Sequence, residues 1–312
     1  MLAKVATIDG GRDEDALSGL PWLAFDGRGR AFVIARHLHE GMPFVLGSDG
    51  ELAKVLAEPG EGPGEPARPD WLEIDAHDSV FVWDRGTGRM SVFSPELDYV
   101  RTYRLEATGV GSSVRLPSGD WVHASPSDHG YPFLLVTAEG AVRTPWVLGP
   151  GSEGTFWAVP LQFRYEAVRF DAEGNELARL ELESDWYESY ERPEMVGPSQ
   201  APQPILTGIR EDEDGLWFVG FAPDPGWRAA LGEPYQVEGH TAYRVEDRSE
   251  LLDTVIELRG TSTGELRARF RDDRLITGMM GGDRGLVTAW RKDELGFQMF
   301  GVFRVRYESS GS

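Results

Sequence analysis

Gly60–Phe93 reads GEGPGEPARPDWLEIDAHDSVFVWDRGTGRMSVF, and its first six residues admit two readings. Glycines among acids can cradle a phosphate, or they can turn the chain from one set of strands to the next. A cradle needs backbone N–H groups converging at a helix N-terminus, or a Gly-x-x-x-x-Gly-Lys-Ser/Thr run. Here the apolar stretch from Trp71 to Ile74 follows with strand-like alternation, no lysine is near, and Glu61 and Glu65 repel an anion. The run is a turn. Beyond it the chain alternates strand and turn: WLEID, then AHDS, then VFVWD, then RGTG, then RMSVF.

That alternation recurs along the chain. One kind of hairpin joins a strand to an aromatic-rich strand through an acidic or glycine turn, as in LAFDGRGRAFVIA, VRLPSGDWVHA, GIREDEDGLWFVG and GMMGGDRGLVTAW. A second kind follows each of these: FVLGSDGELAKVL, SVFSPELDYVRTY, LLVTAEGAVRTPW, VRFDAEGNELARL and VIELRGTSTGELRARF. Their turn residues tolerate positive φ or bond their own backbone, as tight hairpins require. Two hairpins joined by a loop make a four-stranded antiparallel unit of roughly 40–50 residues, the size of a propeller blade. The fold expected is therefore all-β: a six-bladed β-propeller of four-stranded antiparallel blades in one domain over 1–312. The N-terminal strand LAKVATID has no unit of its own and is expected to close the last blade, which ends one strand short. Only VLGPGSEG separates the Val142–Leu148 strand from the next one, so five or seven blades remain the alternative counts.

The stretch quoted first also resembles an NHL-type repeat, with a Gly/Pro/Glu-rich entry, an Asp closing one strand (Asp84) and an Arg opening the next (Arg89). With PDPGWRAAL and RKDELG, the pattern is similar to bacterial six-bladed propellers of the NHL/TolB-like type. The resemblance implies a fold, a binding face and an extracytoplasmic setting, and no single reaction.

Charge narrows the partners. Fifty-two acids against 31 bases give a formal net charge of −21, which disfavours nucleic acid and anionic membrane surfaces. Cysteine is absent, which removes disulfides, thiolate nucleophiles and Cys-ligated zinc. No run approaches membrane-spanning length, and membrane insertion is not expected. The tail 308–312 is polar and short.

Three motifs have plain explanations. GTSTG (Gly260–Gly264) matches a nucleophile elbow in letters, but strands flank it on both sides where the elbow needs a strand and a helix. EDEDG (Glu211–Gly215) lacks the later carboxylate of a calcium loop and occupies a repeat turn. Lactone-hydrolysing propellers hold an axial calcium with carboxylates and Asn side chains, whereas Asn175, the single asparagine, falls in an outer hairpin.

The loops between second and third strands carry the candidates. They include His37 and His39, then His123 and His129, then His240. Imidazoles converging from separate blades are able to hold a transition metal such as zinc, in outline similar to six-bladed amidating lyases. The longest such loop, an insertion over 223–250, carries Trp227, Arg228, Tyr235, His240, Tyr243 and Arg244, the residue types of recognition surfaces. SDWYESYERPE (Ser184–Glu194) lies on the same face, and Arg291 is assigned to its rim. The leading expectation is a non-catalytic propeller that binds a small molecule or protein through Trp227, Arg228, Tyr235, His240, Tyr243 and Arg291, without a cofactor. The alternative is a metal-dependent lyase or hydrolase built on His37, His39, His123 and His129.

Overall fold

The computed structural model describes residues 2–9, 22–35, 38–75, 77–104, 112–115, 121–124, 134–136, 147–160, 164–190, 194–237, 240–245, 247–279, 286–292 and 298–307. Its strands are β1 (Leu2–Asp9), β2 (Trp22–Phe25), β3 (Ala31–Ile34), β4 (Phe44–Leu46), β5 (Leu52–Val55), β6 (Pro69–Ile74), β7 (Val80–Asp84), β8 (Arg89–Phe93) and β9 (Tyr99–Arg104). There follow β10 (Ser112–Arg115), β11 (Trp121–Ala124), β12 (Leu134–Val136), β13 (Val147–Pro150), β14 (Phe156–Val159), β15 (Glu166–Phe170), β16 (Glu176–Glu181), β17 (Ile205–Asp212) and β18 (Gly215–Pro223). The last are β19 (Pro234–Val237), β20 (His240–Tyr243), β21 (Leu252–Arg259), β22 (Leu266–Asp272), β23 (Leu275–Met279), β24 (Leu286–Lys292) and β25 (Gln298–Val305). Among the described residues they form four-stranded sheets β2–β3–β4–β5, β6–β7–β8–β9, β13–β14–β15–β16, β17–β18–β21–β22 and β1–β25–β24–β23, a three-stranded sheet β10–β11–β12, and a separate ribbon β19–β20. β1 pairs antiparallel with β25, from Leu2 opposite Val305 to Asp9 opposite Met299.

The turns form for the reason their residues suggested. Asp26 Oδ1 accepts from the backbone N–H of Arg28 and of Arg30, both at 2.9 Å. Asp75 Oδ1 does the same for His77 and Ser79 at 2.9 Å. In outer hairpins, Asp171 Oδ1 takes Glu173 and Asn175 at 3.0 and 2.7 Å, and Ser94 Oγ takes Glu96 and Asp98 at 3.2 and 3.3 Å. A short polar side chain two and four residues ahead of two backbone donors reverses the chain at each site.

Burial grades from inner to outer strands. β7 (VFVWD) is buried along its whole length because both faces of its sheet are covered. Val80 and Val82 join Phe32, Ile34, Val45, Leu72 and Phe93 in one cluster, while Phe81 and Trp83 join Trp71, Met90 and Val92 in another. The outer strand β5 is exposed at every residue, and most of β9, β16 and β22 is open to solvent.

The chain divides into two compact units, Trp146–Gly278 with the chain ends, and Leu2–Pro145 with Met279–Arg306. The strand expected over Val142–Leu148 falls mostly outside the described residues, and Val147 and Leu148 open β13 of the following sheet. GTSTG is the turn between β21 and β22, and EDEDG the turn between β17 and β18. PGWRAALGE makes one 3-10 turn, Trp227–Ala230.

The quoted stretch resolves as a crossing from β5 to β6. The Gly62 N–H donates to Glu65 Oε2 at 3.2 Å, that of Gly64 to Thr102 Oγ1 at 3.3 Å, and that of Gly60 to the Pro66 carbonyl at 3.3 Å. Those amides are taken up by the loop itself and by Thr102 on β9, so they form no anion cradle. Asp84 Oδ1 accepts from Arg68 N and Gly86 N at 2.7 and 2.9 Å, and its Oδ2 from Ala67 N and Thr87 Oγ1 at 2.9 and 2.5 Å. Arg89 donates to the Glu61 carbonyl at 2.5 Å. Burial alone raises the Asp84 carboxyl, but the Thr87, Ala67, Arg68 and Gly86 donors outweigh it and hold the group below its ordinary value. Asp84→Ala should therefore cost about 2 kcal/mol, because four donors lose a shared acceptor at a site where water replaces it in part. Urea denaturation at neutral pH checks this, and the difference from wild type should shrink as the pH falls through the lowered Asp84 pKa.

Candidate binding site

The site lies in the unit Trp146–Gly278 and begins with a buried acid. Glu257, in the middle of β21, is fully buried and accepts five hydrogen bonds. Oε2 takes Tyr165 Oη at 2.6 Å and Arg259 Nε at 2.7 Å, and Oε1 takes Ser184 Oγ at 2.8 Å, Trp186 Nε1 at 2.9 Å and Arg269 Nε at 2.7 Å. Arg259 also reaches the Gly264 and Glu183 carbonyls at 2.8 Å, and Arg269 reaches Asp185 at 2.5 Å. Burial raises the Glu257 carboxyl, yet Tyr165 and Arg259 over-compensate and hold it below the ordinary range. The same burial, with the Glu257 charge beside it, drives the Tyr165 phenol well above its ordinary value. Such saturation suits a structural anchor: every lone-pair direction is occupied, and none is left for a substrate proton. What it anchors is the start of the 182–204 crossing between β16 and β17.

On that crossing sits the insertion between β18 and β21. Trp227 is 5% exposed, in a cluster with Ala230 and Leu251 that packs against Val196, Ala201, Leu231, Val245 and Leu252. The Arg228 guanidinium lies 4.4 Å from the Trp227 ring centre and donates to the Pro198 carbonyl at 3.0 Å. Gly232 N donates to the Arg244 carbonyl at 2.8 Å and Arg244 N to the Glu233 carbonyl at 3.2 Å, extending the β19–β20 ribbon. Asp247 accepts from Ser249 N at 2.9 Å and caps the turn leading back to β21. The insertion is thus a folded cap with a core of its own.

The expected binding residues separate on this framework. Trp227 as a direct recognition surface is corrected: its ring is covered, because a hairpin this small needs one large apolar anchor to order it. Arg228 is exposed but engaged, by the Trp227 ring within the cap and by the Pro198 carbonyl of the crossing beneath it. Tyr235 is 50% exposed on β19. It pairs with Ala242 while Pro234 pairs with Tyr243, so Tyr235 and Tyr243 project to opposite faces of the ribbon, and Tyr243 borders Gly197. His240 opens β20 opposite Val237. Arg291 lies on β24 opposite Met299, in the other compact unit.

Two of the four candidate metal-binding histidines, His39 and His123, lie among the described residues, on separate elements. His39 sits in a 3-10 turn at φ 48°, its ring edge-on to Phe44 with centres 4.8 Å apart. His123 is on β11 opposite Ser113 and Leu134, while His37 and His129 lie outside the described residues. Among the described residues, no group of three His, Cys, Asp or Glu side chains is placed to hold a metal. Nor is any helix among them long and apolar enough to cross a membrane. Sequence reasoning passed over Glu257, Arg259 and Asp253. The available signal was the pattern DTVIELRG, where charged residues recur at even spacing inside an otherwise apolar strand.

No family model matches the chain, and no curated protein sequence matches it. Solved structures do match across nearly its whole length. A member of the DUF4221 family from Bacteroides vulgatus superposes with a TM-score of 0.62 at 11% identity, covering 99% of this chain and 99% of that one. A Bacteroides fragilis protein assigned as exported gives 0.59 at 9% identity, covering 98% and 95%. Virginiamycin B lyase from Staphylococcus aureus gives 0.53 at 14% identity, covering 96% and 99%. At such identities the likeness is one of fold, and with the sheets described above it makes the chain an all-β propeller of antiparallel sheets.

Proposed function

We propose that the chain is a non-catalytic binding propeller of the NHL/TolB-like type, one domain of six blades, which engages a small molecule or protein partner through the cap over 224–251. Among the described residues, six sheets of three or four strands, with β19–β20 set aside as part of the cap, support the count. The pairing of β1 with β25 supports closure by the N-terminal strand. Asp84 and Arg89, both tied to the crossing that precedes their blade, support the NHL likeness. An extracytoplasmic setting rests on that likeness and on the exported protein of like fold.

One observation carries the binding reading: the insertion is internally ordered around Trp227, yet holds Tyr235 out at 50% exposure. A rigid aromatic presented on an ordered hairpin forfeits little entropy when it meets a partner. The acid-rich loops around it favour a cationic or neutral partner over a phosphate-bearing one. Tyr235→Ala should leave stability within about 0.5 kcal/mol of wild type and weaken partner binding about tenfold or more. Trp227→Ala should weaken binding as well, but with loss of amide protection across 224–251, since it removes the cap's anchor. Captures by wild type and by a chain with 234–243 replaced by a Gly/Ser linker, compared side by side, test the reading. A partner held equally by both, or a domain that melts on replacement, refutes it.

The rival is the metal-dependent lyase or hydrolase on His37, His39, His123 and His129, with zinc as the natural occupant. Elemental analysis of untagged, dialysed protein decides between them. Close to one equivalent of zinc, copper or iron, lost in His123→Ala, supports the rival; no transition metal, even after reloading, supports the binding reading.

A further inference from the structure

The cap leaves its sheet and returns to it over two aspartates. Asp224 directly follows β18, and its backbone N–H donates to the Leu251 carbonyl at 3.1 Å, closing the insertion where it begins. Its Oδ1 accepts from Gly226 N at 2.5 Å. Asp253, the second residue of β21, pairs with Ala222 and is 5% exposed. Arg271 on β22 donates Nε to Asp253 Oδ2 and Nη2 to the Pro223 carbonyl, both at 2.6 Å. Asp253 Oδ1 is buried without a hydrogen-bond donor. Asp253 stands opposite Ala222, and Asp224, two residues beyond Ala222 with its N–H on the Leu251 carbonyl, lies on the same face of the pairing beside it.

Two ionised carboxylates offer only acceptors, so burial of Asp253 beside the half-buried Asp224 favours a hydrogen between them. The neighbouring charges do not supply it. Arg271 is engaged with Oδ2 and the Pro223 carbonyl, and Asp272 and Arg274, beside Thr254, pair with each other at 2.6 Å. β18 brings Ala222 and Pro223 at this level, and the turn Arg248–Glu250 against β21 brings one charge of each sign. We propose that Asp253 keeps a proton directed at Asp224, and that this proton latches the base of the cap, holding it at acidic pH and loosening it as the pH rises.

Burial, opposed by Arg271 and reinforced by Asp224, raises the Asp253 carboxyl above its ordinary value. A raised carboxyl binds its proton more tightly in the latched form. The stabilisation is complete below the ordinary aspartate value of about 3.9 and is lost as the pH climbs through the raised one. Glu257 and Asp84 run the other way, so whole-chain stability masks the effect and a local reading is needed.

Hydrogen exchange across 224–251 in the full chain, corrected for the intrinsic pH dependence of exchange, supplies that reading between about pH 4.5 and 8. Wild-type protection should fall roughly tenfold over this range while peptides from β6–β9 stay level. Asp253→Asn keeps an acceptor for Arg271 and gives Asp224 a permanent donor, so its profile should be flat, with protection retained at high pH. Asp224→Asn should flatten the profile too, and it carries the test should Asp253→Asn fail to fold. A flat wild-type profile, or a wild-type slope surviving in the asparagine variants, overturns the proposal. So does protection at high pH restored by calcium, which would put a cation where the proton is assigned.

Discussion

Glu257→Ala should destabilise the chain by about 3–5 kcal/mol, the range for removing one partner of a buried charged network. The substitution deletes the acceptor of five donors and leaves Arg259, 4% exposed, as a buried cation with carbonyl partners alone. Trp186 and Tyr165 lose their acceptors at the same time, in a cluster otherwise made of apolar side chains. Glu257→Gln keeps the shape but turns one acceptor edge into a donor, which faces either Tyr165 and Arg259 or Ser184, Trp186 and Arg269. It should recover only a minor part of the loss. Because the folded-state pKa of Glu257 is lowered, its contribution is present above the ordinary glutamate value and fades as the pH falls through the lowered one. Denaturant unfolding at neutral and acidic pH is the measurement: the gap between wild type and Glu257→Ala should be large at pH 7 and narrow in acid. An equal gap at both would mean that packing, and not the charge network, holds the crossing in place.

Several parts of this arrangement were legible in the letters. Asp26, Asp75, Ser94 and Asp171 announced their hairpins because a short polar side chain acts on backbone two and four residues away, a relation that needs no tertiary context. GEGPGE read correctly as a crossing because both requirements of an anion cradle were missing locally. The insertion was visible as a long irregular stretch between two apolar strands. The role of Trp227 was not, since an aromatic in a loop serves equally as anchor or as contact, and only its neighbours Val196 and Ala201, some thirty residues back, decide it. Glu257 was hidden for a similar reason. Among 52 acids, most of them solvated, the one that matters is defined by Tyr165, Ser184, Trp186 and Arg269, all distant in sequence except the last. The histidines stand apart from both: a shared loop class gives no distance between rings, and His37 and His129 lie outside the described residues.

Gly149→Ala should be the second severe change, about 3 kcal/mol or more, and for a reason unconnected with backbone conformation. Gly149 lies on β13 opposite Trp157, where β13 runs close against β17 of the next sheet. A methyl group there would drive into the Ile209 carbonyl, a backbone atom that cannot rotate aside. Relief requires β13 and β17 to separate, which would loosen the Leu206 and Ile209 contacts in the core. It would also stretch the bond from Trp157 Nε1 to Glu211 Oε2, now 2.7 Å, and those from Ser152 N and Oγ to Glu211, each 3.1 Å. Gly174 is the control. It has a positive φ of 85° but nothing within 4 Å of an added Cβ, so Gly174→Ala should cost only the left-handed penalty of about 1 kcal/mol. Thermal denaturation of the two variants separates the explanations. A large loss at Gly149 with a small one at Gly174 ties the glycine to the approach of two sheets. Equal losses would assign both to chain conformation, and the spacing of β13 and β17 would then need no glycine.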